Sequence, residues 1–216
     1  MKNLLYKEFK LSIHKAFWFM PLIFGALLLI PQWIYLIALM YLFWVSVPNI
    51  YSAYNSQNDR IFCMLMPIKK EDYVKTKIVS LMLLELVHLL FAAIFAILHN
   101  VFFAKSNFML DLNVAFFGVG FIMYGLFNLI FYSTYFKTAY YYGKATIYGN
   151  IGAILFGLGV ELAALLIPGF RNLMEGAGTI ESTWQLLIFF GGVLAFFGMN
   201  YAAFIISKRK FERTDL

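Results

Sequence analysis

The amino-acid sequence predicts an all-α membrane protein with six transmembrane helices, and three observations support this fold class. Of the 216 residues, 62% are hydrophobic and 13% are charged, a balance far from that of a soluble globular domain. The apolar residues are gathered in six long runs. Lys and Arg are concentrated in alternate connections between these runs, as in polytopic membrane proteins. No linker-like composition divides the chain, so we expect a single transmembrane domain over residues 1–216.

The N-terminal segment, residues 1–15, has the pattern of an amphipathic helix that lies on the membrane surface. Leu4, Leu5, Phe9 and Ile13 recur at a spacing of about three to four residues, and charged side chains occupy the other faces. The segment lacks the small-residue cleavage site of a secretory signal peptide. We therefore expect the apolar run that follows it to remain in the protein.

Each of the six apolar runs is a candidate transmembrane helix, because about 20 mostly apolar residues cross the hydrocarbon core of a bilayer. The runs cover residues 16–30, 33–53, 78–103, 112–136, 145–168 and 184–207. The first run is short and contains Pro21. It therefore has two interpretations: a short span, or one half of a re-entrant hairpin with the second run.

The distribution of basic residues predicts the orientation of the chain. Only Lys105 and Arg171 of the 17 Lys and Arg residues lie in one set of connections, and all the others lie at the termini or in the alternate set. Because basic residues accumulate on the cytoplasmic side, we expect both termini in the cytoplasm. This placement also accounts for the net charge of +6, so we expect contact with membrane lipid and no nucleic-acid partner.

The longest connection on the predicted cytoplasmic side is residues 54–77. It contains an apolar patch over residues 61–66, ended by Pro67, which disfavours a helical conformation at the residue before it. A new helix is expected from Lys70. The pattern predicts a short helix, a break and a long membrane helix. An exposed apolar patch indicates a partner protein or the lipid surface, unless the segment is only a connector.

A family resemblance rests on this connection and on the order of the segments. The stretch MPIKKEDYVKTK, residues 66–77, is similar to the one that leads into the third span of small bacterial permeases of the ABC-2 type. A basic N-terminal helix (LLYKEFKL), two spans, the cytoplasmic segment and four further spans also resemble those permeases over the whole chain. The resemblance implies a membrane subunit of an ATP-driven exporter in the bacterial cell membrane. The chain further resembles permeases that export amphipathic or antimicrobial peptides, including phenol-soluble modulins.

The resemblance also implies partners and a coupling helix. In this family two permease subunits, identical or different, associate with two separate ATP-binding subunits, and the substrate passes between the membrane halves. The implied ATPase-coupling residues are Asn58, Asp59, Arg60, Ile61, Phe62, Leu65 and Met66. The sequence contains no GxxxxGK[ST] phosphate loop. We therefore expect no cofactor in this chain, with ATP and Mg²⁺ bound by the partner.

The predicted spans contain the ionisable residues Glu85, His88 and Glu161. Such groups are costly in hydrocarbon and usually face protein or water. They are candidates for lining the pathway, or they stabilise helix packing. They also suggest an alternative function, an ion-coupled secondary transporter, and a non-transporting immunity or scaffold subunit is another. Glu85 and His88 match half of a di-iron motif, but the second half is missing, so we expect no metal site.

Small residues four apart in the fifth run predict a close helix contact. The pairs are Ala153 with Gly157 and Gly159 with Ala163. They are candidates for the dimer interface, and the alternative is packing within one subunit. The sequence has no HExxH or GxSxG motif, so we expect no enzymatic activity.

Overall fold

The computed structural model describes residues 2–103 and 109–213, and the regular secondary structure of these residues is entirely helical. The predicted all-α fold class is therefore confirmed. The α-helices are α1 (Lys2–Lys7), α2 (Met20–Ala26), α3 (Tyr35–Tyr41), α4 (Val47–Ser56), α5 (Asp59–Leu65), α6 (Lys70–Phe102), α7 (Val114–Tyr135), α8 (Tyr142–Leu166), α9 (Pro168–Glu175) and α10 (Thr179–Glu212). Short π or 3₁₀ turns cover Glu8–Ser12, Lys15–Trp18, Leu27–Leu29 and Leu42–Ser46. Lys105, used to predict the orientation, lies outside the described residues.

Five helical segments are long and apolar enough to cross a membrane. They are α6, α7, α8, α10 and the continuous segment Tyr35–Ser56 that contains α3 and α4. These five correspond to the second to sixth predicted spans. The first predicted span is the shorter segment Lys15–Leu29, which is bent by 97° from the N-terminal segment Asn3–Lys10. The described chain reaches six spans when this bent pair is counted as one.

The break between α5 and α6 lies where the sequence predicts it. Met66 has an extended backbone, as expected for a residue that precedes a proline. α6 begins at Lys70 and carries Glu71 and Asp72 in its first turn, where acidic groups offset the exposed N–H dipoles. It begins eight residues before the predicted third span, which started at Ile78. The helix therefore extends beyond its apolar run.

α7 packs most extensively against α10 in the described part of the chain. Their crossing is formed by two glycines, Gly118 and Gly192. A Cβ atom at Gly192 would overlap the carbonyl group of Gly118, and one at Gly118 would lie 2.8 Å from Cα of Phe189. Only glycine permits backbones to approach this closely.

The bundle has two distinct ends. The basic end comprises the N-terminal segment, α5, the start of α6, the turn of residues 136–141 and the end of α10; here Lys208 pairs with Glu71 at 2.7 Å. The distal end comprises residues 109–113, α9 and the start of α10; here the Asn113 side chain donates to the carbonyl of Met174 at 2.7 Å. The basic end is the predicted cytoplasmic side, and this sidedness stays a prediction.

Candidate functional site

α5 has a buried face and an exposed apolar face. Asp59 and Cys63, one turn apart, are buried, with 5% and 0% of their surface exposed. Ile61, Phe62 and Leu65 are exposed by 53%, 55% and 83%. We call these three side chains the docking face. α5 is therefore held by one side and presents an apolar surface on the other.

Both ends of α5 have backbone conformations that separate it from its neighbours. Asn58, between α4 and α5, has φ 50° and ψ 34°, a left-handed conformation that Asn tolerates better than most residues. Met66, at the other end, is extended. These two predicted coupling residues therefore fix the direction of α5 relative to α4 and α6.

A cluster of four charged side chains, three of them buried and one partly exposed, lies on the buried side of α5. We define the charge cluster as Lys7, Glu8, Asp59 and Lys77. The Nζ atom of Lys77 lies 2.7 Å from Oδ2 of Asp59 and 3.0 Å from Oε1 of Glu8. Lys7 pairs with Asp59 and, at 2.9 Å, with Glu8. Because two cations face two carboxylates, the attraction between them offsets the cost of removing the charges from water.

Tyrosines connect the charge cluster to the surrounding helices. The Lys77 ammonium lies 3.0 Å from the centroid of the Tyr54 ring, in a cation–π contact. The Tyr73 hydroxyl donates to Oδ2 of Asp59 at 3.3 Å. The Tyr132 hydroxyl donates to the backbone carbonyl of Lys77 at 2.9 Å. The cluster thus joins the N-terminal segment and α5 to α4, α6 and α7.

The charge cluster shifts the pKa of two groups on α5. Burial alone would raise the pKa of Asp59, but the ammonium groups of Lys77 and Lys7 outweigh it and hold the pKa below its ordinary value. Burial raises the pKa of the Cys63 thiol, and the nearby Asp59 carboxylate raises it further. At neutral pH Asp59 is therefore ionised and Cys63 carries its proton.

Arg60 extends from α5 to the turn between α7 and α8. Its Nη1 atom donates to the carbonyl of Thr138 at 2.9 Å, and its guanidinium lies 5.7 Å from the centroid of the Tyr140 ring. Asn55, at the end of α4, donates to the carbonyl of Tyr140 at 2.9 Å. The turn of residues 136–141 is thereby attached to the segment that carries the docking face.

Glu85 and His88 are fully buried on α6. The Asn128 amide donates to Oε2 of Glu85 at 2.8 Å and to Oδ1 of Asn200 at 3.0 Å. Nδ1 of His88 lies 2.7 Å from the hydroxyl of Tyr124. The two residues therefore link α6 to α7 and, through Asn128, to α10. Their role in lining a pathway stays a prediction.

Glu161 lies in a different environment, at the distal end of α8. Its buried carboxylate accepts a hydrogen bond from the backbone N–H of Leu110 at 3.0 Å. Glu175 accepts one from the N–H of Asp111, also at 3.0 Å. These two carboxylates hold the connection that precedes α7. The structure thus brings Glu85 and His88 to polar groups of α7, and it places Glu161 with a separate set of partners.

The small residues of α8 divide between two faces. Ala153 and Gly157 are buried within the subunit, and a Cβ atom on Gly157 would lie 2.9 Å from Cε of Met40. A Cβ atom on Gly159 would meet no atom of the described residues within 4 Å, and Ala163 is half-buried. Gly159 and Ala163 are therefore the members of the predicted dimer interface that a second subunit can reach.

The charge cluster was not predicted as a unit, although the sequence contains a partial signal for it. Glu8 is the only acidic residue among the first 15 residues, in a segment that carries several lysines. Lys77 lies at the margin of an apolar run, where its ammonium needs a partner or water. These features indicate buried pairing, but the choice of partners depends on how the chain folds.

The comparisons with known proteins give one match. Residues 3–212 match the family model described as ABC-2 family transporter protein. The match includes α5, the charge cluster and all five long helical segments. No curated protein and no solved structure matches the chain.

Proposed function

Because the chain belongs to the ABC-2 family of transporter proteins, we propose that it is a permease subunit that lines the translocation pathway of an ATP-driven exporter. Members of this family are the membrane components of ABC transporters, and the family implies an ATP-binding subunit as partner. We further propose two ATP-binding subunits and a second permease subunit, identical or different. In the bacterial cell membrane the basic end would face the cytoplasm, where ATP is available.

The observation that carries the proposal is the arrangement of α5. The docking face, Ile61, Phe62 and Leu65, is exposed, whereas Asp59 on the opposite side is held in the charge cluster. An apolar surface of this kind on a short helix is unfavourable in water and becomes favourable when a partner protein covers it. The proposed partner is the ATP-binding subunit, with the docking face inserted into a groove on its surface. Asn58 and Met66 would orient the helix in that groove.

Movement of α5 would reach the membrane helices through the buried contacts behind it. Asp59 connects it to Lys77 on α6 and to the N-terminal segment, and Arg60 connects it to the turn that begins α8. Breaking a buried ion pair costs about 3–5 kcal/mol, so these parts would move together when ATP closes the partner subunits. The movement driven by ATP binding would thereby be transmitted to the helices that line the translocation pathway.

We propose amphipathic peptides, or other hydrophobic cargo, as the substrate class. The support is the resemblance of the chain to peptide-exporting permeases, together with the apolar surface of the long helices. Leu155 and Leu162 on α8 and Leu194 on α10 are exposed by 66%, 48% and 73%. Such surfaces would face lipid, a second permease subunit at Gly159 and Ala163, or apolar cargo.

Co-purification with an ATP-binding subunit tests the proposal. Phe62→Asp and Leu65→Asp each place a charge on the docking face and should weaken association by about 30-fold or more, as at interface hot spots. Ile180→Asp is the matched control, because Ile180 is 70% exposed on α10, in a helix that starts at the distal end. The control should bind and stimulate ATP hydrolysis like the unchanged chain.

Three results would contradict the proposal. One is normal binding and ATPase stimulation by both docking-face variants. Another is transport driven by a proton gradient in liposomes that contain the chain alone, without ATP, which would favour the ion-coupled transporter. The third is binding of the partner without transport of any peptide, which would favour the scaffold or immunity subunit.

A further inference from the structure

A cavity of about 740 Å³ opens at the basic end, beside the segment that carries α5. Its walls are formed by the turn of residues 136–141 and the first two turns of α8. The lining includes Lys137, Thr138, Tyr140, Tyr141, Lys144 and Tyr148. The docking face lies outside this lining, and the function proposed above makes no use of the cavity.

The lining is cationic and rich in hydrogen-bond donors. Lys137 and Lys144 contribute ammonium groups, and both side chains are exposed. The neighbouring tyrosine hydroxyls can also donate. None of the described residues that line the cavity is acidic. Ammonium and hydroxyl groups that surround one space can bind a phosphate group by donating hydrogen bonds to its oxygens.

The backbone keeps this space open. Ala139 has φ 51°, so the turn reverses sharply before α8. The hydroxyl oxygen of Thr138 accepts hydrogen bonds from the N–H groups of Tyr140 and Tyr141, at 3.3 and 3.1 Å. A Cβ atom on Gly143, which also lines the cavity, would meet no described atom within 4 Å. The lysines therefore border an accessible space held by an ordered turn.

An exposed apolar stripe on α8 continues from the cavity. Tyr148, Ile151 and Leu155 are three and four residues apart, so they share one helix face. They are exposed by 54%, 49% and 66%. Cationic groups at the end of a membrane helix, followed by an apolar stripe along it, match a phospholipid, whose phosphate is at the interface and whose acyl chains lie deeper. A free phosphate compound has no acyl chains that could contact the stripe.

We propose that the cavity binds the phosphate group of an anionic phospholipid from the leaflet at the basic end. Lys137 and Lys144 neutralise the phosphate, Tyr141 flanks the headgroup, and the acyl chains lie along Tyr148 and the stripe below it. Tyrosine is common at this depth because its ring is apolar and its hydroxyl is polar. The turn that forms the cavity wall is held by Arg60, so a bound lipid also restrains the position of α5.

Lipid retention by the purified chain tests this site. The chain is placed in mixed phosphatidylglycerol and phosphatidylcholine, and the lipids that remain bound are measured by native mass spectrometry. We expect a preference for phosphatidylglycerol that falls about fivefold for each lysine replaced in Lys137→Gln and Lys144→Gln. The matched control is Lys15→Gln with Lys69→Gln, which changes the charge equally at exposed lysines outside the cavity.

The control and a soluble competitor separate the possible outcomes. Equal loss of phosphatidylglycerol in the control pair would overturn the site, because general attraction to positive charge would then explain the binding. Displacement of the lipid by glycerol 3-phosphate at equal concentration would contradict the proposal, because the site would then bind a soluble phosphate compound as well as it binds a lipid. Retention of the lipid against this competitor, with loss only in the cavity variants, supports the proposal. Thermal unfolding of each variant verifies that its fold is retained.

Discussion

The Nζ atom of Lys77 lies 2.7 Å from Oδ2 of Asp59, and their side chains are 0% and 4% exposed. Lys77 is the eighth residue of α6, whereas Asp59 is the first residue of α5. The ion pair therefore joins the short helix that carries the docking face to a long membrane helix. Glu8 and Lys7 complete the pairing from the N-terminal segment.

Removing the charge of Lys77 should destabilise the protein. Lys77→Met leaves the carboxylates of Glu8 and Asp59 buried with one cation, and breaking a buried pair in this way costs about 3–5 kcal/mol. Lys75→Met is the matched control, because Lys75 is exposed two residues earlier on the same helix. Thermal unfolding in detergent should show a large decrease in Tm for Lys77→Met and little change for the control.

A second substitution tests whether loss of the ion pair with Asp59 is the reason for the lower stability of Lys77→Met. Adding Asp59→Asn to Lys77→Met restores the balance between one cation and one carboxylate, so the double variant should lose less stability than the sum of the two single losses. Additive losses would mean that the two charges act independently, and the ion pair would then not be the reason for the effect.

The stability supplied by Asp59 should depend on pH. Its pKa is lower in the folded protein than in the unfolded chain, so the stabilisation is present above the unfolded pKa and is lost as the pH falls through the folded one. Asp59→Asn should therefore lower Tm at pH 7. The difference in Tm between this variant and the unchanged chain should become smaller below about pH 4. Glu212→Gln, at an exposed position, is the control. A difference that stays constant from pH 7 to pH 3 would contradict the prediction.

Thiol labelling should distinguish the two faces of α5. Cys63 is buried and its pKa is raised, so alkylation by a maleimide at pH 7 should be slow. The thiol introduced by Phe62→Cys, in a Cys63→Ser background, lies on the exposed face and should react about tenfold faster or more. Equal rates would mean that α5 is not held against the charge cluster. Asp59→Asn should accelerate the labelling of Cys63 by loosening that contact.

The sequence predicted the helices and the breaks between them better than it predicted which of their residues contact each other. The apolar runs, the short helix before Pro67 and the break after it follow from local composition and backbone sterics, and the structure contains them. Glu8 and Asp59 share the cations Lys7 and Lys77 although they are far apart in the sequence, and the segment that carries Glu8 is bent by 97° from the first short span. Local patterns do not encode that bend. The four-residue spacing of Ala153 and Gly157 likewise predicted a close contact without indicating that its partner is Met40 of the same chain.

The crossing of α7 and α10 should tolerate no side chain at Gly192. A branched side chain there would overlap the backbone of Gly118, and backbone cannot move aside as a flexible side chain can. Gly192→Val should therefore cost at least about 1–3 kcal/mol. Gly191→Val is the neighbouring control, because a Cβ atom at Gly191 meets no described atom within 4 Å. Size-exclusion chromatography and thermal unfolding should show a loss for the first variant, and an equal loss in both would contradict the close approach.

Substitutions at Glu85 and Asn128 should distinguish a packing role from an ion-relay role. Glu85→Gln keeps an oxygen that can accept from the Asn128 amide, 2.8 Å away, so a packing role predicts unchanged Tm and unchanged transport. Asn128→Leu removes the donor to both Glu85 and Asn200 and leaves their oxygens buried without it, at a cost of about 1–3 kcal/mol. Thr183→Ala, at an exposed position of α10, is the control for Tm. Normal stability with complete loss of transport in Glu85→Gln would contradict the packing role, because only a group that must change its charge would then explain the result.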